Sequence, residues 1–220
     1  MNAVSILEII EISLRSLYFA FTAALLAMLA GLIPGIWISR NDQYQHKAIK
    51  KILTSIISTL TSIPTVVIGI FVYMLLSKKG ILAGLNWLYT SSGVIFGEFL
   101  LALPLVIHHL VSGFSKIDST LFETLAVFKA DALSTITITA KEAMPVLGGA
   151  LTLAFGRVIG EVGLVMMIGG NIRHATRTMT TAIALETSKG NIHAATVLGI
   201  VLLLISLIVN ITINYIANYE

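Results

Sequence analysis

The chain has 220 residues, 56% of them hydrophobic and only 11% charged, with no cysteine and a formal net charge of +3. Soluble domains carry roughly 25% charged residues, so this composition excludes a soluble globular domain, a disordered chain and a coiled coil. The missing cysteines exclude a disulfide scaffold, and no basic run is dense enough to neutralise a row of phosphates, so nucleic acid is not an expected partner.

The few charges punctuate the chain. None lies between Arg15 and Arg40, between Lys51 and Lys78, or between Lys189 and Glu220. A helix needs about 20 apolar residues to cross a hydrocarbon core of about 30 Å. The first two gaps predict spans over approximately 14–39 and 52–77, and the last predicts one over 194–217. Two further stretches, 93–113 and 143–168, are long enough but hold Glu98 with the His108–His109 pair, and Arg157 with Glu161. Ionisable groups are costly against lipid, so these two spans are expected to face protein or a water-filled path. The expectation is therefore an all-α integral membrane protein of about five transmembrane helices, forming a single domain over 1–220.

The first span does not read as a cleaved signal peptide, because Glu8 and Glu11 precede it and its apolar run is too long. Placing the basic loop Arg40–Lys51 in the cytoplasm by the positive-inside rule puts the N-terminus outside, the 115–142 loop inside and the 169–193 loop outside. Seven lysines and arginines then fall inside against six outside. Pro34, Pro64 and Pro104 fall within spans and require nearby protein to satisfy freed carbonyls, whereas Pro145 is expected at a span's first turn, where a missing N–H costs little. Three pairs of glycines four apart, Gly31–Gly35, Gly93–Gly97 and Gly156–Gly160, predict close helix packing within the subunit.

The inner loop 115–142 is too polar to span and too patterned for a linker. Thr120 and Glu123 fit a capping box, and Leu121, Leu125, Phe128 and Ala132 then share one helical face. Such a helix either lies on the membrane surface or fills a groove on a soluble partner. Residues 134–139 alternate like a strand, but a lone strand has no partner there, so helix or an extended lead-in is expected.

The segment Glu123-Thr-Leu-Ala126-Val-Phe128-Lys129-Ala130, followed by Glu142-Ala-Met-Pro145, resembles the EAA loop of ABC-importer membrane subunits, with Thr124 and Leu125 in place of alanines and Lys129 near the usual glycine. The run from Gly156-Arg157 through Gly160-Glu161, Gly169-Gly170-Asn171, Arg173, Thr176-Arg177-Thr178, Thr180-Thr181 and Leu185-Glu186 to Gly190 is similar to the membrane subunit of tungstate-uptake ABC importers of the TupB type. That resemblance implies a type I ABC importer fold in a prokaryotic plasma (inner) membrane, with an outside N-terminus. It also implies a second copy of the chain, a cytoplasmic ABC ATPase dimer and an extracytoplasmic oxyanion-binding protein. ATP and magnesium belong to the ATPase, and no cofactor is expected on this chain. A two-fold ATPase dimer needs two docking helices, and one loop per chain supplies them only in a dimer. Leu121, Glu123, Leu125, Ala126, Phe128, Lys129 and Ala130 are then the ATPase-coupling residues.

Arg157 and Glu161 are four apart on one helix face. They are either a structural ion pair or a cation offered to an oxyanion with its counter-charge. Asn171, Arg173, Arg177, Thr178, Thr180 and Thr181 bring hydroxyls and guanidinium forks suited to a tetrahedral dianion, or to docking and gating at the outer mouth. No metal site is expected, since adjacent histidines point to different helix faces, and no P-loop, nucleophile elbow or HExxH pattern is present. Molybdate or sulfate is the alternative cargo. A stand-alone channel or secondary carrier is the alternative of a different class, and it would call for internal repeats that the sequence does not contain.

Overall fold

The computed structural model describes residues 6–39, 47–116, 127 and 132–218. The coupling residues Leu121, Glu123, Leu125, Ala126, Phe128, Lys129 and Ala130 lie outside the described residues. The described residues form eight α-helices: α1 (Ile6–Ser39), α2 (Lys47–Thr61), α3 (Thr65–Leu76), α4 (Ser91–Phe114), α5 (Ala132–Ile159), α6 (Gly163–Gly169), α7 (Met179–Ser188) and α8 (Ile192–Asn218). One 3₁₀ turn, Ala83–Leu85, sits before α4. Four of these helices are long and apolar enough to cross a membrane, or five if the bent pair α2–α3 counts as one span.

The centre is a seam between α1 and α4. Ala20, Ala23, Ala24, Ala27, Gly31 and Gly35 are buried on one side of α1. A β-carbon on Gly31 would stand 2.9 Å from Val106, and one on Gly35 would stand 2.8 Å from Leu110. Backbone approach this close needs the small residues. α5 packs against both helices and adds Ala150, Ala154, Phe155 and Val158 to the same core, while α6 adds Leu164, Val165 and Ile168. α8 is the most outlying span, with 11% of its window buried.

Two expected spans are broken. The stretch 52–77 turns by 98° between α2 and α3. Pro64 carries no N–H to bond Leu60, which weakens the helix at that point, and α3 restarts with Val67 N–H donating to the Pro64 carbonyl at 2.9 Å. The twelve residues of α3 rise about 18 Å, less than the roughly 30 Å core. The stretch 143–168 stops at Ile159 and resumes at Gly163. Its helix also starts earlier than expected, at Ala132, so residues 134–139 are helical and Pro145 is an interior proline rather than a first-turn one. The carbonyl left without its helical donor there is that of Lys141.

Gly97 packs as the sequence implied, its β-carbon position lying 2.5 Å from Ile168, but Gly93 instead faces the carbonyl of Trp87 at 2.2 Å. A β-carbon built at Gly156 or Gly160 meets nothing within 4 Å, so that pair makes no close packing among the described residues. Gly93→Ala should therefore destabilise the subunit by about 1–3 kcal/mol. A lowered melting temperature in detergent reads this out, and an unchanged one would contradict it.

Candidate functional site

α6 closes on Gly170 with φ 69°, and in the loop that follows, the one expected to face outside, Asn171 and His174 also adopt left-handed backbone, at φ 51° and 63°. The amides of Ala175, Thr176 and Arg177 all donate to the Ile172 carbonyl. The buried Thr176 hydroxyl donates to the Gly169 carbonyl and accepts from the Ile172 amide, so one side chain closes the loop on itself.

Each loop residue expected to meet an anion makes a polar contact within the chain. Arg173 lays its fork on Glu8, with Nε to Oε1 at 3.1 Å and Nη2 to Oε2 at 2.8 Å. Arg177 reaches the same carboxylate at 3.4 Å and also donates Nε to the Asn171 side-chain oxygen at 3.2 Å. Beside them, Arg15 pairs with Glu11 and donates to the Arg177 carbonyl at 3.1 Å. His174 Nδ1 stands 2.9 Å from Glu11. Glu8 is nearly buried while Arg173 is exposed, at 14% and 59% of their side-chain surfaces, so the cluster runs from solvent into the protein.

The threonines hold backbone. Thr178 and Thr181 form a reciprocal capping box at the start of α7. Thr180 donates to the Glu161 carbonyl at 2.7 Å, and the Met179 amide donates to Ser16 on α1 at 2.8 Å. The loop is thus stitched to α1 on one side and to the α5–α6 break on the other. Past α7, the Lys189 ammonium and the Asn191 side-chain amide each donate to Glu186 at 2.8 Å. The Lys189 hydrogen bond is the main cause holding the Glu186 carboxyl below its usual range. Sequence reasoning missed Glu8 and Glu11 as partners; their spacing of three on the first helix was the available signal.

Arg157 and Glu161 meet across 3.3 Å. Glu161 is buried and its other oxygen accepts the Leu164 amide at 3.1 Å, so one carboxylate ends the ion pair and begins α6. Arg157 keeps 38% of its side chain exposed, next to the open space at Gly156 and Gly160. The two helix breaks also touch here. A β-carbon on Gly163 would lie 3.2 Å from Val66, 3.7 Å from the Glu161 carboxylate and 4.0 Å from the Thr65 hydroxyl. Irregular backbone at membrane depth is tolerated where it is buried in protein or lines a water-filled cavity.

Of the remaining ionisable residues, Glu98 lies within electrostatic reach of Glu161. Glu98 is buried on α4, and its Oε2 has no hydrogen-bond partner among the described residues. His109 lies against Gly149 on α5, while His108 is exposed.

The description "binding-protein-dependent transport system inner membrane component" belongs to a family that matches residues 27–218. The chain belongs to that family. It is accordingly a multi-pass subunit of an inner-membrane transport system and not itself an enzyme. Over 162 residues it is 36% identical to the tungstate uptake system permease protein TupB of Campylobacter jejuni, covering 74% of this chain and 68% of that one. A probable anion ABC transporter permease protein of Haloferax volcanii is 35% identical, with 92% and 88% covered. Permeases named for molybdenum in Azotobacter vinelandii and for sulfate in Prototheca wickerhamii are each 26% identical, covering 76% and 89% of this chain and 76% and 80% of theirs. In fold, the chain resembles a bacterial ABC transporter involved in the import of the acidic polysaccharide alginate, with a TM-score of 0.66 at 19% identity over 94% of this chain and 79% of that one. The type I importer architecture expected from the sequence is therefore the one observed.

Removing the charge on Glu8 should loosen the outer loop. Glu8→Gln is expected to cost about 1–3 kcal/mol and to quicken amide hydrogen exchange over residues 172–177. Unchanged exchange would mean that the hydroxyl and carbonyl network holds the loop without the ion pairs.

Proposed function

We propose that two copies of this chain form the membrane path of an ATP-driven importer that takes tungstate into the cell. Identity to the Campylobacter jejuni tungstate permease, 36% against 26% for the molybdenum and sulfate permeases, is the observation that carries the choice of cargo. Molybdate remains the competing cargo, because the dianions share a shape and an external binding protein makes the first selection. Membership of a binding-protein-dependent family argues against a stand-alone channel or carrier.

In this reading a soluble oxyanion-binding protein docks on the outer face, and two ATPase subunits holding ATP and magnesium dock on the inner loops. Leu121, Leu125 and Phe128 fill an apolar groove on the ATPase, Glu123 caps the helix, and Ala126, Lys129 and Ala130 complete the contact. ATP binding moves these helices as rigid bodies and switches the path between outward and inward access. Asn171, Arg173, Arg177, Thr178, Thr180 and Thr181 act as a gate rather than as ligands. Their engagement with Glu8, with helix caps and with the Glu161 carbonyl supports that assignment. Arg157, half exposed beside the two helix breaks, offers charge to the passing ion, and Glu161 blunts it so that the ion is not trapped.

Leu125→Asp and Phe128→Asp place a charge in the greasy contact. Each should lower binding-protein-dependent tungstate uptake by about thirtyfold, the factor of a 2 kcal/mol hot spot, while the subunit still inserts. Uptake at the unmodified rate with the ATPase still bound would overturn the coupling assignment. Competition of tungstate uptake by molybdate and by sulfate, with the complete system, reads the cargo.

A further inference from the structure

α5 packs against both α1 and α8, and along its outer side these three helices enclose a groove of about 590 Å³. Met144, Gly148, Leu151 and Phe155 of α5 form the floor, Phe21 of α1 stands on one side and Ile213 of α8 on the other. Thr212 is the one hydroxyl-bearing residue along it, and that hydroxyl donates back to the Ile208 carbonyl at 2.8 Å.

We infer that this groove holds the acyl chain of an anionic phospholipid from the cytoplasmic leaflet. The inference rests on the proposed placement of the 115–142 loop inside the cell. Length is the first argument. Met144 to Phe155 rises about 16 Å at roughly 1.5 Å per residue, which matches one leaflet of a core about 30 Å thick. The lining is the second, apolar along its length apart from the Thr212 hydroxyl, which is already bonded within its own helix.

Charge supplies the headgroup. Lys141 is exposed on α5 just before the groove floor begins. It sits three residues before Met144, so the spacing 141, 144, 148, 151, 155 keeps its ammonium on the same helix face as the groove floor. Glu142 is turned about 100° away around the helix. A phospholipid with its chain in the groove therefore presents its phosphate to Lys141.

The test uses the purified importer complex in nanodiscs with a photoreactive phosphatidylglycerol, and the matching phosphatidylcholine, each carrying a diazirine on one acyl chain. Phosphatidylglycerol should label α5 and α8 peptides about fivefold more than phosphatidylcholine, the factor expected for one lysine near an anionic surface. Lys141→Gln, a surface change, should erase that preference and leave chain labelling in place. Leu151→Trp should fill the groove and lower labelling by both lipids. Equal labelling by the two lipids in the unmodified complex would overturn the headgroup assignment, and no labelling of α5 would overturn the site. Disulfide cross-linking between two copies that each carry Leu151→Cys would assign the groove to the second subunit instead. Failure of an ATPase to co-purify with the unmodified chain would tell against the importer reading separately.

Discussion

The close contact of α1 with α4 sets the geometry of everything else. Between helices in a bilayer there is no hydrophobic gain from burying one apolar surface on another, because lipid is equally apolar, so association depends on packing at short range. The alanines of α1 and the pair Gly31–Gly35 provide it, with Val106 and Leu110 seated against the bare backbone. Once α1 is fixed in this way, its outer end carries Glu8, Glu11 and Arg15 to a defined place. The loop after α6 closes on those charges. A packing constraint deep in the membrane thereby determines an electrostatic one at its surface.

The two interrupted helices share a second logic. α2 and α3 part at Pro64, α5 and α6 at Gly160–Val162, and the restarts meet at Gly163 and Val66. Freed backbone groups inside a bilayer need protein or water around them. One break is served by the Glu161 carboxylate, which accepts the Leu164 amide, while the Glu161 carbonyl accepts from Thr180. The same residue pairs with Arg157, so the ion pair and the helix restart share its carboxylate while the loop after α6 holds its carbonyl. The loop after α6 is thereby linked to Arg157 through Glu161, as the proposed gate would need.

Spans were legible in the sequence wherever charge was absent, because a run without Lys, Arg, Asp or Glu in so apolar a chain has one physical meaning. Breaks within those runs were not, since the chain is largely apolar on both sides of Gly160 and a proline in a membrane helix bends it by an amount set by its neighbours. The 98° turn at Pro64 is a tertiary fact. At the outer loop the residue types were readable and their duties were not. Thr178 and Thr181 look like anion donors in a line of sequence, yet their spacing of three is also that of a capping box. Arg173 and Arg177 find their carboxylate 165 and 169 residues away, a pairing that no local pattern encodes.

For ATP to drive this subunit by the proposed route, the segment leading into α5 must face the ATPase side and the Glu8–Arg173 cluster the opposite one. The chain has no cysteine, so single-cysteine variants at Val127 and at His174 can be probed with a membrane-impermeant maleimide in intact cells and in inverted vesicles. Labelling of the Val127 variant only in inverted vesicles, and of the His174 variant only in intact cells, is the predicted result. The reverse pattern would contradict the proposed route by which ATP drives this subunit.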